Sequence, residues 1–345
     1  MLTLLGLPFI GSIHEISFKN NWMKFHEWGE QYGPIFQTNL GGVNHVWITR
    51  DSVAHEVLSK KAYATSDRPH LAAIEADNRT SGHYLPLMSR NGKCDPPLNI
   101  SLPAKRTDRE SEVWVRQRRF AKQFMDKSAQ ASFYGYCELE AVRMMMELLN
   151  DPKRYHESLE SYSARVTSRL AWGSPHASDE LKQRARELLI AVSPTGAIGN
   201  NVPILNSLPE ALFPQKTWER RRARTEKQFF KTMQEDVQNE ISSPLRKPRP
   251  TWMQMFLENK SFWGFESDEE GSYAVGMNSI AGALTIAAPM QSFCLALLYH
   301  QQYQPMLHEE IDRVCGDRMP TLHDMPNMPV TRYSASPHHD FWFAH

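Results

Sequence analysis

The stretch YAVGMNSIAGALTIAAPMQSFCLALLYH, from Tyr273 to His300, is the most apolar in the chain and constrains its fold more than any other. Its length permits one helix to cross a bilayer. Asn278, Ser279, Thr285, Pro289, Gln291 and Ser292 interrupt it, however, and no positive-inside flank accompanies it. A single transmembrane pass is the weaker reading, and a helix buried on all sides in a large soluble core is the stronger one. Pro289 lacks an N–H, so it is expected to kink that helix or free a carbonyl. The chain can bury such an element, because its 345 residues are 41% hydrophobic and 10% aromatic.

Charge removes one class of function. Lys plus Arg and Asp plus Glu number 39 each, so the basic footprint of a nucleic-acid binder is missing. Cys94, Cys137, Cys294 and Cys315 lie far apart and form no CxxC pair, which signals neither a zinc site nor a disulfide framework. A reducing compartment is the default. The sequons at Asn78, Asn99 and Asn259 matter only in a secreted chain. The start, MLTLLGLPFIGSI, is short, has no basic n-region, and is interrupted by Gly6, Pro8 and Gly11, so it reads as neither a signal nor a span.

Periodicity sets the coarse organisation. Trp22, Phe25, Trp28 and Tyr32 recur at helical spacing before Gly33-Pro34, and alternation around Gly41-Gly42 predicts a β-hairpin from about Ile35 to Thr49. Asp51 is the expected N-cap of a short helix. Residues 66–111 are rich in Pro, Gly, Asn and Ser and form a long irregular connection, of the kind that tends to be functional or disordered. Helix resumes at Glu112, and Leu139, Val142, Met146 and Leu149 make an apolar stripe whose methionines read as core filler. Further helices are expected over 155–172 and 178–193. VPILNSLPEALFP reads as a loop touching something greasy, and the long charged helix after it presents Arg220, Arg221, Arg222 and Arg224 as a solvated face.

WVRQRRF, Trp114 to Phe120, combines an indole and a guanidinium one helical turn apart. Residues at i and i+4 are neighbours, so Trp114 and Arg118 can converge on one target. Both side chains only donate hydrogen bonds, which makes an anion such as a carboxylate the natural target. The competing reading packs Trp114 in a core and leaves Arg116, Arg118 and Arg119 as a solvated basic face.

Taken in order, GLPFIGSI, YGPIFQTNLGG, TSDRP, WVRQRRF, SARVTSRLAWGSP, LPEALFP, AGALTIA and HEEIDRVCGDRMPTLHDMPNMP resemble the cytochrome P450 superfamily of haem-thiolate monooxygenases. The likeness is closest to fungal, microsomal-type members of secondary metabolism, and it covers about Leu5 to Arg332. It implies a mainly α fold with a small β-sheet, a P450-like domain over residues 1–332, and a haem (heme b, iron) cofactor. Trp114 and Arg118 would then donate to a haem propionate, while Ala281, Gly282 and Thr285 would form the bend of the central helix over the haem. There Gly282 admits a ligand close to the backbone, and the Thr285 hydroxyl serves the oxygen substrate and relays protons. Leu284 stands where the family usually has an acid, so proton delivery needs another donor such as ordered water.

Other family features have no match in this sequence: the ExxR helix, the glycine-rich loop carrying the iron's Cys, and the elements after it. The fold implied is therefore incomplete. Glu140-Ala-Val-Arg143 and Glu310-Ile-Asp-Arg313 fit the four-letter pattern but sit in earlier helices, as coincidences of charged helix surfaces. Cys315 follows no Phe-and-Gly loop, and no residue is assigned as metal ligand. Residues 333–345, YSASPHHDFWFAH, read as a non-family tail from a retained intron or shifted frame, with His338, His339 and His345 solvated. By family, the expected activity inserts one oxygen atom from O2 into a lipophilic small molecule, with electrons from NADPH-cytochrome P450 reductase at the endoplasmic reticulum membrane. Segments 66–111 and 193–214 would bound the substrate. With no anchor read in this chain, a cytoplasmic location is the alternative. The chain as written is expected to be inactive, with an exposed strand edge and an apolar face on the central helix; a non-enzymatic remnant or partner-binding fragment is the alternative.

Overall fold

A computed structural model describes residues 2–4, 6–8, 10–16, 20–65, 68, 71, 74, 84–87, 109–193, 196–201, 203–243 and 250–334. Most of 66–111, two of the three sequons and the tail after Ser334 lie outside these residues. In chain order the main elements are β1 (Leu2–Thr3), α1 (Asn21–Tyr32), β2 (Ile35–Leu40), β3 (Val43–Ile48), α2 (Arg109–Gln130), α3 (Tyr136–Asn150) and α4 (Tyr155–Trp172). They continue with α5 (Ser178–Val192), α6 (Pro214–Ser242), α7 (Trp252–Glu258), α8 (Asp268–Thr285), α9 (Ala287–Tyr299) and α10 (Gln304–Cys315). Among the described residues the architecture is mainly α with one small sheet, as the family resemblance implies. The chain forms two compact units, Met1–Lys127 with Gln183–Asn278, and Ser128–Lys182 with Ser279–His345.

In the first unit the sheet order is β1-β2-β3, with β1 parallel to β2 and β3 antiparallel to it. Leu40 pairs with Val43 across Gly41 (φ 58°) and Gly42 (φ 95°), a two-residue turn whose positive φ angles favour glycine. Phe36, Thr38 and Leu40 alternate inward on β2, and Phe36 meets Trp28 of α1 and Leu4 in one cluster. Trp47 stacks on Phe25 at 3.9 Å and donates its indole N–H to Thr38 Oγ1 at 2.8 Å, so the one buried hydroxyl of β2 is satisfied. Each fully buried aromatic or aliphatic side chain here contributes about 1.5–3 kcal/mol. The expected helix and hairpin are thus present.

Asp51 does not cap the next helix. It is the first residue of the short Asp51–Ala54 helix, behind Arg50 in extended backbone, and its Oδ1 accepts the Ser52 N–H at 2.6 Å.

Helix α2 begins at Arg109, a turn earlier than the pattern signals, and buries Phe120 and Phe124. Phe120 meets Trp263 edge-on at 4.7 Å, and Phe124 stacks on Trp252 at 4.4 Å. The α8 helix presses against the same layer through its glycines. A Cβ on Gly271 would lie 2.2 Å from the Phe256 ring and one on Gly276 2.5 Å from Phe230, so only glycine permits that approach.

The expected solvated arginine face of α6 is only partly so. Arg221 and Arg224 are exposed, but Arg222 is 2% exposed, held by Glu219 (2.8 Å), Glu226 (2.8 Å) and the Tyr84 hydroxyl (2.8 Å). Tyr84 in turn donates to Glu226 at 2.5 Å. These charges are paired because burial without partners is prohibitive.

In the second unit, α3 packs with its polar side inward. Glu140 is fully buried and accepts Arg165 Nε and Arg169 Nε of α4, each at 2.6 Å, while Arg165 also reaches Glu147. The stripe Leu139, Val142, Met146 and Leu149 therefore faces outward, with Leu149 79% exposed, and is not core. Amphipathicity marked two faces, and the buried arginines of α4 decide which one turns in. Glu140 is likewise no surface coincidence. Nor is Glu310, buried on α10, which accepts the Val330 and Thr331 N–H groups at 2.9 and 2.8 Å.

The long apolar stretch is not one helix buried on all sides. It is almost wholly buried over 271–280, but it breaks at Ile286 and continues as α9, with Leu298 65% and Tyr299 77% exposed. Pro289 supplies the reason, since it has no N–H for the Thr285 carbonyl one turn back. By length and composition alone, Asp268–Tyr299 is the one span among the described residues able to cross a membrane.

Candidate functional site

Trp114 and Arg118 share a face of α2 in the first unit. The Arg118 guanidinium sits 5.5 Å from the Trp114 ring centre, Trp114 is half-buried and Arg118 exposed. Neither the indole N–H nor the guanidinium has a hydrogen-bonding partner among the described residues. The other side of the helix is fixed: Arg116 forks onto the buried Glu270 carboxylate with Nε at 2.7 Å and Nη2 at 2.8 Å, and Gln117 Nε2 reaches it at 3.3 Å. The pair is thus neither a packed core Trp nor a saturated ion network. It is an open set of donors held over a cation–π contact.

Ala281, Gly282 and Thr285 lie at the end of α8, in the second unit. Ala281 and Thr285 are exposed on one face, and Thr285 Oγ1 donates back to the Ala281 carbonyl at 2.5 Å. That leaves the hydroxyl's lone pairs open to an incoming donor. Gly282 points elsewhere: a Cβ there would meet Thr167 Oγ1 at 3.0 Å, and its carbonyl accepts Ser163 Oγ at 2.7 Å. Its lack of a side chain is thereby explained by the close approach of α4. Leu284 is half-buried, so no carboxylate precedes the Thr. Ala288 and Pro289 extend the exposed face beyond the break.

The structure brings Trp114 to Arg118 and Ala281 to Thr285, each pair within its own unit. Sequence reasoning missed Glu270, whose link to Arg116 spans 154 residues. The only signal was Arg116 itself, inside the WVRQRRF motif.

The donor chemistry fits the carboxylate edge of a haem. The iron's thiolate is another matter. Burial, with Glu138 beside it, pushes the Cys137 thiol up, against forming a thiolate, and the neighbouring Tyr162 hydroxyl is pushed up to about 12. Cys315 is 6% exposed at the end of α10, and Cys294 is half-buried on α9. Among the described residues no group of three or more His, Cys, Asp or Glu is placed to hold a metal. Among the described residues the site is therefore an open donor pair on a helix, with no cluster placed as a metal ligand.

Comparison with known proteins agrees. The family model described as Cytochrome P450 matches residues 3–93 and 104–334, and the chain belongs to that family. Cytochrome P450 monooxygenase virE of Hypocrea virens is 29% identical over 94% of this chain and 56% of its own length. Cytochrome P450 monooxygenase fogE of Aspergillus ruber is 23% identical over 94% of the chain and 57% of its own length, and cytochrome P450 monooxygenase 58 of Postia placenta 28% over 94% and 58%. The chain thus spans between 56% and 58% of these relatives' lengths.

Proposed function

We propose that this chain carries the propionate-holding and distal-face portions of a fungal haem-thiolate monooxygenase that oxidises a lipophilic small molecule. When bound through a Cys thiolate, haem supplies the activation of O2. The residues here do the rest. Trp114 Nε1–H and the Arg118 fork donate to one propionate and neutralise its charge. In the second unit the small, exposed Ala281 leaves its face of α8 open, and the Thr285 hydroxyl takes a hydrogen bond from water while keeping its own proton on the Ala281 carbonyl, ready to pass it on. With Leu284 in place of an acid, the proton comes from ordered water. By family, electrons come from NADPH-cytochrome P450 reductase at the endoplasmic reticulum membrane. The exposed Trp22 and Leu212, 64% and 69% accessible, support contact with a lipid surface.

The observation that carries this reading is the donor pair on α2, which has no hydrogen-bonding partner among the described residues. Haemin titration of the purified chain tests it. Arg118→Ala and Trp114→Phe each weaken binding about tenfold, the effect of losing one charge-assisted hydrogen bond, while Arg221→Ala on the exposed face of α6 leaves it unchanged. Equal affinity for all variants would refute the assignment.

A further inference from the structure

We propose that Glu270 is a positioning residue that sets the roll of α2 and thereby aims Trp114 and Arg118 at the haem propionate; the inference rests on the propionate reading. A helix advances about 100° per residue, so Trp114 and Arg118 project within about 40° of each other and about 160° from Arg116. A helix turned by even one residue step carries the donor pair away from its target. Packing of Phe120 and Phe124 against Trp252, Phe256 and Trp263 restrains that roll less tightly, because stacked and edge-on ring contacts tolerate a wider range of angles than a bidentate ion pair. The bond that fixes it is the fork on Glu270. The carboxylate is 3% exposed and uses both oxygens: Oε1 accepts Arg116 Nε at 2.7 Å and Gln117 Nε2 at 3.3 Å, and Oε2 accepts Arg116 Nη2 at 2.8 Å and the Glu266 N–H at 3.0 Å.

Four acceptances on one buried group specify angle as well as distance, since a bidentate fork through Nε and Nη2 requires guanidinium and carboxylate to lie near one plane with their two N–H bonds parallel. Arg116 and Gln117 are adjacent and straddle the inward side, so together they define the helix azimuth at two points. Glu266 adds a second carboxylate to Arg116 at 3.2 Å. Glu270 thus touches neither cofactor nor substrate and acts through Arg116 and Gln117. Lysine at position 116 keeps the charge but not the fork, and it should therefore fail to hold the angle.

The test uses metal-free protoporphyrin IX, whose binding requires no iron ligand, against its dimethyl ester, which lacks the carboxylates. Fluorescence titration of the full chain should show the diacid preferred by about tenfold in the wild type. Glu270→Gln and Arg116→Lys should abolish that preference while binding of the ester stays unchanged, and Glu270→Asp should restore most of it. A merely structural role would weaken diacid and ester alike. A wild type that prefers the diacid and a Glu270→Gln variant that keeps the full preference would overturn the role of Glu270 and leave the propionate reading standing. No preference in the wild type would overturn the propionate reading and this proposal with it. Amide exchange over 112–119 then reports separately whether Glu270 fixes the helix: faster exchange in Glu270→Gln supports the restraint, and unchanged exchange refutes it.

Discussion

Replacing Glu140 by Gln should destabilise the second unit far more than any change on the apolar stripe of the same helix. Glu140 is fully buried and holds Arg165 and Arg169, whose side chains are 6% and 13% exposed. A glutamine keeps the shape but offers one acceptor and turns an N–H2 toward a guanidinium. Each charge-assisted bond is worth about 1.5–3 kcal/mol, and Arg165 keeps Glu147 as a second partner. The expected cost is about 3–5 kcal/mol, the usual result of removing one member of a buried ionic set. Leu149→Ala, at a side chain 79% exposed, should stay within about 0.5 kcal/mol. Equilibrium urea unfolding, with exchange of the α4 amides as the local probe, measures both. A loss of under about 1 kcal/mol for Glu140→Gln with 2 or more for Leu149→Ala would show that the helix packs the other way round.

Three further outcomes follow from the geometry. Gly276→Ala places a methyl 2.5 Å from the Phe230 ring and should cost about 1–3 kcal/mol by thermal melting, with partial rescue by Phe230→Leu. Burial raises the Glu226 carboxyl above its ordinary 4.5 despite Arg222 and Tyr84, so its contribution to stability is fully present below the unfolded-state value and is lost as pH rises through the folded one. The wild type should therefore lose more stability between pH 4.5 and neutrality than Glu226→Gln does, and parallel urea midpoints across that range would contradict the shift. Cys137 should react with iodoacetamide at neutral pH more than about tenfold slower in the folded chain than in urea, because its thiolate is scarce and half-covered.

What the sequence made legible was periodic or local. Trp22 to Tyr32 and the Gly41-Gly42 hairpin announce themselves because helix and strand periods differ and the turn needs positive φ. Pro289 announces the break at Ile286 because a missing N–H acts within one turn. The donor pair was visible for the same reason, i to i+4 on one helix. The failures share a cause as well. The inward side of α3 depends on arginines 25 and 29 residues away, the burial of Arg222 on a tyrosine 138 residues away, and the aim of WVRQRRF on a glutamate 154 away. No local pattern encodes such partners. A charged run reads as solvated until the residue that neutralises it is found.

The most direct test of the central claim is the spectrum of the haem-reconstituted chain, reduced and exposed to CO. The account assigns a propionate-holding face to Trp114 and Arg118 and no iron thiolate to the described cysteines. It predicts that haem is retained in an Arg118-dependent way while the Soret band stays unshifted. A red-shifted band of thiolate-ligated haem would contradict it and make one of this chain's own cysteines the iron ligand.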